Sequence, residues 1–371
     1  MNIHIISPQI YPCFTGGMEI FNYYFAQELS CEGLDITIHS QCKDEKIHKI
    51  CKKVMLINSD VLLFPTLSTW ASLINNIIKC RNSIDILHVP YTSNSFLVYP
   101  ILLSKKIFNI PYIVVIHGGG LKPWKDPLVQ KKFFTEASKI VAVSNPIKEE
   151  YEKRTGKEIK LIPPLVPFYK SPLSKEKLRN KYGFEIKDII IVAVGSIKEI
   201  KGCDTLLNAF IHLGKEYVVN NRVHLIYAGD GDLRSTLEER VKEHKFVDNV
   251  IFLGIVPNEQ IPEILKIADI YIIPSLFEGT SISLLEAMFN GLPIIGSDTR
   301  GINNIIFPGK NGVLFETGNS IDLNKKLKNM VENIEYYNKL GEQAAVEYNC
   351  QWHHKKVINE HIEIIREIVG S

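Results

Sequence analysis

FEGTSISLLEAMFNGLPIIGS, residues Phe277 to Ser297, is the stretch that decides how this chain is read. The run before it, Ile270-Tyr-Ile-Ile-Pro274, is short, apolar and closed by proline, which is the form of a buried parallel strand. Ser281 opens an apolar-periodic segment, Ile282, Leu284, Leu285, Ala287 and Met288, that Gly291 is placed to end, and a second apolar strand follows at Pro293 to Gly296. Strand, loop, helix and strand in so few residues predict a parallel α/β sheet, with Glu278 in the loop and Glu286 about one turn into the helix. A helix N-terminus carries unpaired N–H groups and roughly +0.5 of a charge. The amides of Thr280, Ser281 and Ile282 are therefore placed to receive a phosphate. Each flanking carboxylate is acceptor-only and takes vicinal hydroxyls pairwise, which suits a ribose on one side and a hexose on the other. Two glutamates at this spacing are by themselves more often solvated residues that compensate the helix dipole. The local density of Pro274, Gly279, Gly291 and Pro293 turns the reading toward a ligand loop.

Outward from that stretch, short apolar runs alternate with helix-length amphipathic segments over all 371 residues. The first half offers strands at 3–7, 35–39, 54–57, 85–89, 112–116 and 140–143, and the second at 189–194, 223–228, 250–253, 270–273, 293–296 and 312–315. Between them lies Ile162-Pro-Pro-Leu-Val-Pro-Phe-Tyr-Lys-Ser-Pro172, whose four prolines exclude a helix interior or central strand and mark a linker. The expectation is two Rossmann-like, doubly wound α/β domains, residues 1–165 and 172–348, facing across a cleft, with a ligand beyond the carboxyl ends of the strands.

The net charge of +2, from 43 basic and 41 acidic residues, excludes a globally cationic nucleic-acid binder. Residues 1–165 nevertheless hold 19 Lys and Arg against 14 Asp and Glu, so the first half suits an anionic surface or acceptor. Ser104-Lys-Lys106 and Leu121-Lys-Pro-Trp-Lys125 through Lys131-Lys-Phe-Phe134 interleave cations with aromatics, as a peripheral contact with an anionic membrane surface would require; an ordinary solvated face is the competing reading. Seven scattered cysteines without a CxxC pair read as reduced thiols. Cys42, His48 and Cys51 fit no zinc spacing. Met1 to Ser7 goes straight into a strand, without a signal-like segment, and no apolar run approaches the roughly 18 residues of a membrane span. The expected location is cytoplasmic, at most peripheral at the inner face of the membrane.

Three further constellations carry chemistry. Gly16 and Gly17 precede a helix after the first strand and permit close approach of a phosphate, although the spacing lacks the dinucleotide fingerprint and a plain turn is the simpler account. His117 ends a strand and opens His-Gly-Gly-Gly120, a loop with almost no side-chain bulk. Gly195-Ser-Ile-Lys-Glu-Ile-Lys-Gly202 follows a strand and brings Lys201, a point charge suited to a diphosphate, to its end. Ala228-Gly-Asp-Gly-Asp232 reads as a turn, with Asp232 expected to cap a helix starting at Leu233, rather than as a metal-binding pair.

On these residues the chain resembles glycosyltransferase family 4, the retaining nucleotide-sugar transferases of GT-B fold, over nearly its whole length. The matches are Gly-Gly-x-Glu at Gly16 to Glu19, His-Gly at His117 and Gly118, Gly-x5-Lys-Gly from Gly195 to Gly202, and Glu-x7-Glu at Glu278 and Glu286 with Gly291-Leu-Pro293 behind it. Trp352 fits the position after which the family's C-terminal helix, here 349–371, crosses back to the first domain. The resemblance implies that Glu286 holds the ribose, Lys201 with the amides of Thr280 to Ile282 holds the diphosphate, Glu278 contacts the donor sugar, and His117 lies near the anomeric carbon. It implies no metal and no cofactor beyond the nucleotide-diphosphate sugar that serves as donor, with cations and a helix end stabilising the leaving diphosphate. That phosphate would also act as base toward the acceptor hydroxyl. Two positions depart from the family pattern: Ser196 stands where many relatives have arginine, with Lys198 a candidate substitute, and Arg300-Gly-Ile-Asn-Asn304 lacks the usual Pro-Glu ending. The implied activity is transfer of a hexose from a UDP- or GDP-sugar to a glycan or lipid-linked glycan, in cell-surface polysaccharide synthesis. A non-catalytic nucleotide-sugar-binding subunit and a sugar-nucleotide epimerase or hydrolase of similar fold are the alternatives.

Overall fold

The computed structural model describes residues 1–13, 17–57, 65–92, 97–118, 126–165, 170–279 and 281–370. The chain divides into two units, Met1–Val166 together with His354–Ser371, and Pro167–His353. In the first unit β1 (Asn2–Ile6), β2 (Asp35–Ser40), β3 (Lys53–Leu56), β4 (Ile86–Tyr91), β5 (Tyr112–Ile116), β6 (Lys139–Ala142) and β7 (Lys160–Leu161) form one sheet in the order β3-β2-β1-β4-β5-β6-β7. Every neighbouring pair is parallel. Helices cover both faces of such a sheet, so its strands read as unbroken apolar runs; β4 and β5 are buried at every residue.

Two details differ from the sequence reading. The seventh strand is only two residues long, too short to announce itself beside Pro163 and Pro164. β4 continues through Pro90, a residue usually barred from central strands. Pairing of β4 with β1 stops at Ile5↔His88, whereas pairing with β5 continues to Tyr91↔Ile116. Amides alternate sides along a strand and the Leu87 amide donates toward the β5 side, to Pro111, so the N–H that Pro90 lacks belongs on the side where β1 has already ended.

The second unit holds β8 (Ile189–Val194), β9 (Val223–Ala228), β10 (Val250–Gly254), β11 (Ile270–Ile273), β12 (Ile294–Ser297) and β13 (Val313–Phe315) in the order β10-β9-β8-β11-β12-β13, all parallel. Each falls within about a residue of its expected position. The order reverses between β8 and β11, the switch point at which a crevice opens beyond the strand ends.

The C-terminal helix His354–Val369 places Val357, Ile358, Ile362, Ile364 and Ile365 in the core of the first unit. Residues 349–353 stay with the second unit, because the preceding helix runs on to Gln351. The linker residues 162–165 and 170–172 have no helix or strand, while 166–169 lie outside the described residues.

The reading of all seven cysteines as free thiols is corrected. Cys13 and Cys42 form a disulfide, with Cα atoms 5.7 Å apart. They follow the carboxyl ends of β1 and β2, which pair as far as Ile6↔His39, so sheet register joins residues that a 29-residue separation hides. Cys31, Cys51, Cys80, Cys203 and Cys350 are free. Among the described residues no cluster of His, Cys, Asp and Glu is arranged to hold a metal ion, and no helix is long and apolar enough to cross a membrane.

Candidate functional site

The crevice at the β8/β11 switch point is lined by Gly195, Ser196 and Lys201 after β8 and by Pro274, Ser275, Ser281 and Ser283 after β11. Lys201 and Glu278 meet inside the second unit. The ammonium donates to both carboxylate oxygens, Nζ to Oε2 at 2.7 Å and to Oε1 at 3.0 Å. The Glu278 side chain is 10 % exposed and that of Lys201 34 %. Backbone contacts fix both partners. The Leu276 amide donates to the Ile200 carbonyl at 2.9 Å, tying the Glu278 loop to the turn that carries Lys201. Gly202, in the left-handed region at φ 63°, lies so close to the Pro274 carbonyl that a Cβ would overlap it. Gly301, at φ 97°, lies equally close to the carbonyls of Glu278 and Gly279 and backs the loop from its other side.

Ser281 is the N-cap of the helix Ile282–Asn290 and accepts from the Leu284 amide at 3.3 Å, and Gly291 ends that helix in the left-handed conformation, as its sequence requires. The Ile282 amide opens this helix end; Thr280 lies outside the described residues. Glu286, one turn further on, differs from Glu278 in its electrostatics. Burial pushes its carboxyl up to about 8, so it carries a proton at neutral pH and donates as well as accepts. The acceptor-only picture drawn from sequence therefore does not hold for Glu286. Tyr271 and Tyr348, both buried, feel the charge of Glu286 when it ionises, and each hydroxyl is held well above its ordinary range, first by burial.

His117 and Gly17 belong to the first unit. Gly17 opens the helix Gly17–Cys31, with Glu19 in its first turn; Gly16 lies outside the described residues. His117 follows β5, its amide donating to the Tyr91 carbonyl at 2.9 Å and its ring standing edge-on to Phe21 at 4.6 Å. Its Nε2 is buried without a hydrogen-bond partner, and burial lowers the imidazole to about 3, with His361 of the C-terminal helix adding to the effect. His117 is therefore neutral. Gly118 has open space where a side chain would stand, and Gly119 and Gly120 lie outside the described residues.

The turn after β9 does more than the sequence suggested. Gly229 and Gly231 abut the carbonyls of Gly195 and Ile197, so they shape the Gly195–Gly202 loop from behind. Asp232 is not the helix cap. Leu233 takes that position without a side-chain bond, and Asp230 accepts from the Gly231 amide at 2.8 Å and from Arg234 at 2.9 Å. Lys198 is exposed and is not among the residues that line the crevice. Ser275 and Ser283, which also line the crevice, were not singled out from sequence, since nothing separates a crevice serine from a turn serine before the strands are placed.

The description "Glycosyl transferases group 1" matches residues 174–346, and "Glycosyltransferase Family 4" matches residues 15–168. The N-acetyl-alpha-D-glucosaminyl L-malate synthase of Bacillus anthracis is 25 % identical over 301 residues, covering 78 % of this chain and 76 % of that protein. Among solved structures, a sucrose-phosphate synthase from Thermosynechococcus elongatus superposes with a TM-score of 0.82 at 17 % identity, covering 100 % of this chain and 99 % of that one. Anabaena Alr3699/HepE, solved in complex with UDP and glucose, superposes with a TM-score of 0.81 at 17 % identity, covering 99 % of this chain and 100 % of that one. The two parallel α/β units have the GT-B fold.

Proposed function

The chain belongs to glycosyltransferase family 4, and on that premise we propose that it transfers a hexose, with retention, from a UDP- or GDP-sugar to a glycan or lipid-linked glycan acceptor in cell-surface polysaccharide synthesis. The observation that carries the reading is the convergence, at the β8/β11 switch point, of one ammonium, one ion-paired carboxylate and a serine-capped helix end. In this reading Lys201 and the amides of Thr280 to Ile282 hold the diphosphate, with Gly195 allowing close approach. Glu286 would take the ribose, Glu278 the donor sugar, His117 would contact the sugar near the anomeric carbon, and Gly16 and Gly17 would permit close approach of a phosphate. Developing negative charge on the leaving diphosphate is met by the Lys201 cation and oriented amides, so the proposed chemistry needs no metal. The complex of Alr3699/HepE with UDP and glucose supports a nucleotide-sugar donor.

A thermal-shift panel of UDP, GDP and ADP, then their sugars, identifies the donor, because a ligand selective for the folded state raises the melting temperature. Lys201→Ala and Glu286→Ala are each expected to lower transfer by orders of magnitude. Near-parental transfer and donor affinity in either purified variant would defeat the assignment. Ser196, which leaves the diphosphate one cation short of many relatives, favours a second reading as a non-catalytic binding subunit. Slow release of free sugar from the donor by the chain alone would speak against that role.

Peripheral contact with an anionic membrane is part of the same proposal. On the helix Val98–Phe108, Tyr99, Leu103 and Ile107 are exposed at intervals of four, beside the exposed Lys106. On the helix Pro127–Glu136, Leu128 is 82 % exposed and shares a face with the exposed Lys131 and Lys132. Phe133 and Phe134, expected in this patch, are instead fully buried core residues, and Leu121–Lys125 lies outside the described residues. Flotation with anionic vesicles tests the contact, and binding indifferent to salt and lipid charge would end it.

A further inference from the structure

We propose that Glu278 is the residue by which this site distinguishes an intact nucleotide-sugar from the spent nucleoside diphosphate, through a competition for Lys201. The inference rests on the crevice being the donor site. Lys201, the one ammonium among the described residues lining the crevice, is engaged by both oxygens of Glu278, at 2.7 and 3.0 Å. The two loops are joined through the backbone: the Leu276 amide donates to the Ile200 carbonyl at 2.9 Å, Gly202 packs on the Pro274 carbonyl, and Gly301 packs on the carbonyls of Glu278 and Gly279. The exchange of partners is therefore assigned to the side chains.

A diphosphate entering beside this pair meets a carboxylate as well as an ammonium. To hold the phosphates, Lys201 must turn from Glu278, and a carboxylate with 10 % of its side chain exposed is left without its cation. A hexose on the diphosphate supplies hydroxyl donors that satisfy the carboxylate in turn, whereas a bare nucleoside diphosphate supplies none. Binding of the complete donor is thus a double exchange, ammonium to phosphate and carboxylate to sugar. Once the sugar has left, Glu278 reclaims Lys201 and weakens the hold on the product. With Ser196 where a second cation would stand, no second cation among the described residues lining the crevice compensates for this competition.

The test compares calorimetric Kd values for the nucleoside diphosphate found in the thermal-shift panel and for its hexose, on the full chain. The wild type is expected to bind the nucleotide-sugar more tightly than the free diphosphate. Glu278→Gln, which keeps the shape and removes the charge, is expected to bind the free diphosphate about 2- to 5-fold more tightly than wild type, in the range of a released, partly exposed ion pair. Its preference for the sugar form should shrink toward unity. Glu278→Ala should move the diphosphate affinity in the same direction, so the outcome does not depend on how one variant folds. Unchanged or weaker diphosphate binding in both variants, with nucleotide binding intact in the wild type, overturns the competition while leaving the donor site standing. A wild type that binds no nucleotide in the panel overturns the donor site and this inference together.

Discussion

Replacing Glu286 by glutamine should stabilise the second unit at alkaline pH and leave it unchanged in acid. The carboxyl is raised from 4.5 to about 8 because it is buried without a cation. A folded-state value above the unfolded one means that the folded unit binds the extra proton, so stability is fully present below about pH 4.5 and is lost as pH rises through about 8. At 1.36 kcal/mol per unit the full penalty above pH 8 would be roughly 5 kcal/mol, and partial contact of the side chain with solvent screens it to about half, some 2 kcal/mol. Glutamine keeps the shape and never ionises. Scanning calorimetry should show the second unit of Glu286→Gln melting roughly 4–8 °C higher than wild type at pH 8, and within error of it at pH 5. The same substitution should impair transfer, since removing ligand-directed strain commonly stabilises at a functional cost. Superimposable melting curves at pH 8, or a variant less stable than wild type there, would refute the claim that this carboxyl is held protonated by burial.

Acid should act on the first unit by the opposite sign. His4, His39, His88 and His361 are at most 2 % exposed and burial lowers each well below its ordinary value, so the unit is most stable above about pH 6.5 and loses stability as pH falls toward 4. At pH 5 the loss should be about 2 kcal/mol per excluded imidazole, visible as a falling urea midpoint. Gly202→Ala forces a side chain into the left-handed region at roughly 1–2 kcal/mol and onto the Pro274 carbonyl, and should lower both the melting temperature and nucleotide affinity. Gly118→Ala meets no neighbour among the described residues and should leave stability within about 0.5 kcal/mol of wild type. Truncation before His354 removes five buried Ile and Val side chains at about 1.5–3 kcal/mol each, comparable with the whole 5–15 kcal/mol stability of a domain, so the first unit should fail to fold by circular dichroism.

The paired strands, the linker and the helix ends at Ser281 and Gly291 could be read directly, because each is a local choice: apolar runs, prolines that cannot pair, a side chain that caps and a glycine that turns left-handed. The positions of Lys201 and Glu278 were legible for the same reason, each lying just past the end of a recognisable strand. Their ion pair was not, since it joins residues 77 positions apart whose approach is set by the adjacency of β8 and β11.

The amino-acid order by itself determined an α/β chain of two units and the residue types gathered at the strand ends, because periodicity and turn chemistry act over a few residues. Only the tertiary structure decided that burial raises the Glu286 carboxyl, that Cys13 is bonded to Cys42, that Phe133 and Phe134 are core, and that Gly229 and Gly231 shape a loop more than 30 residues earlier. Burial and contact between distant segments are properties of the packed chain, and electrostatics follows burial.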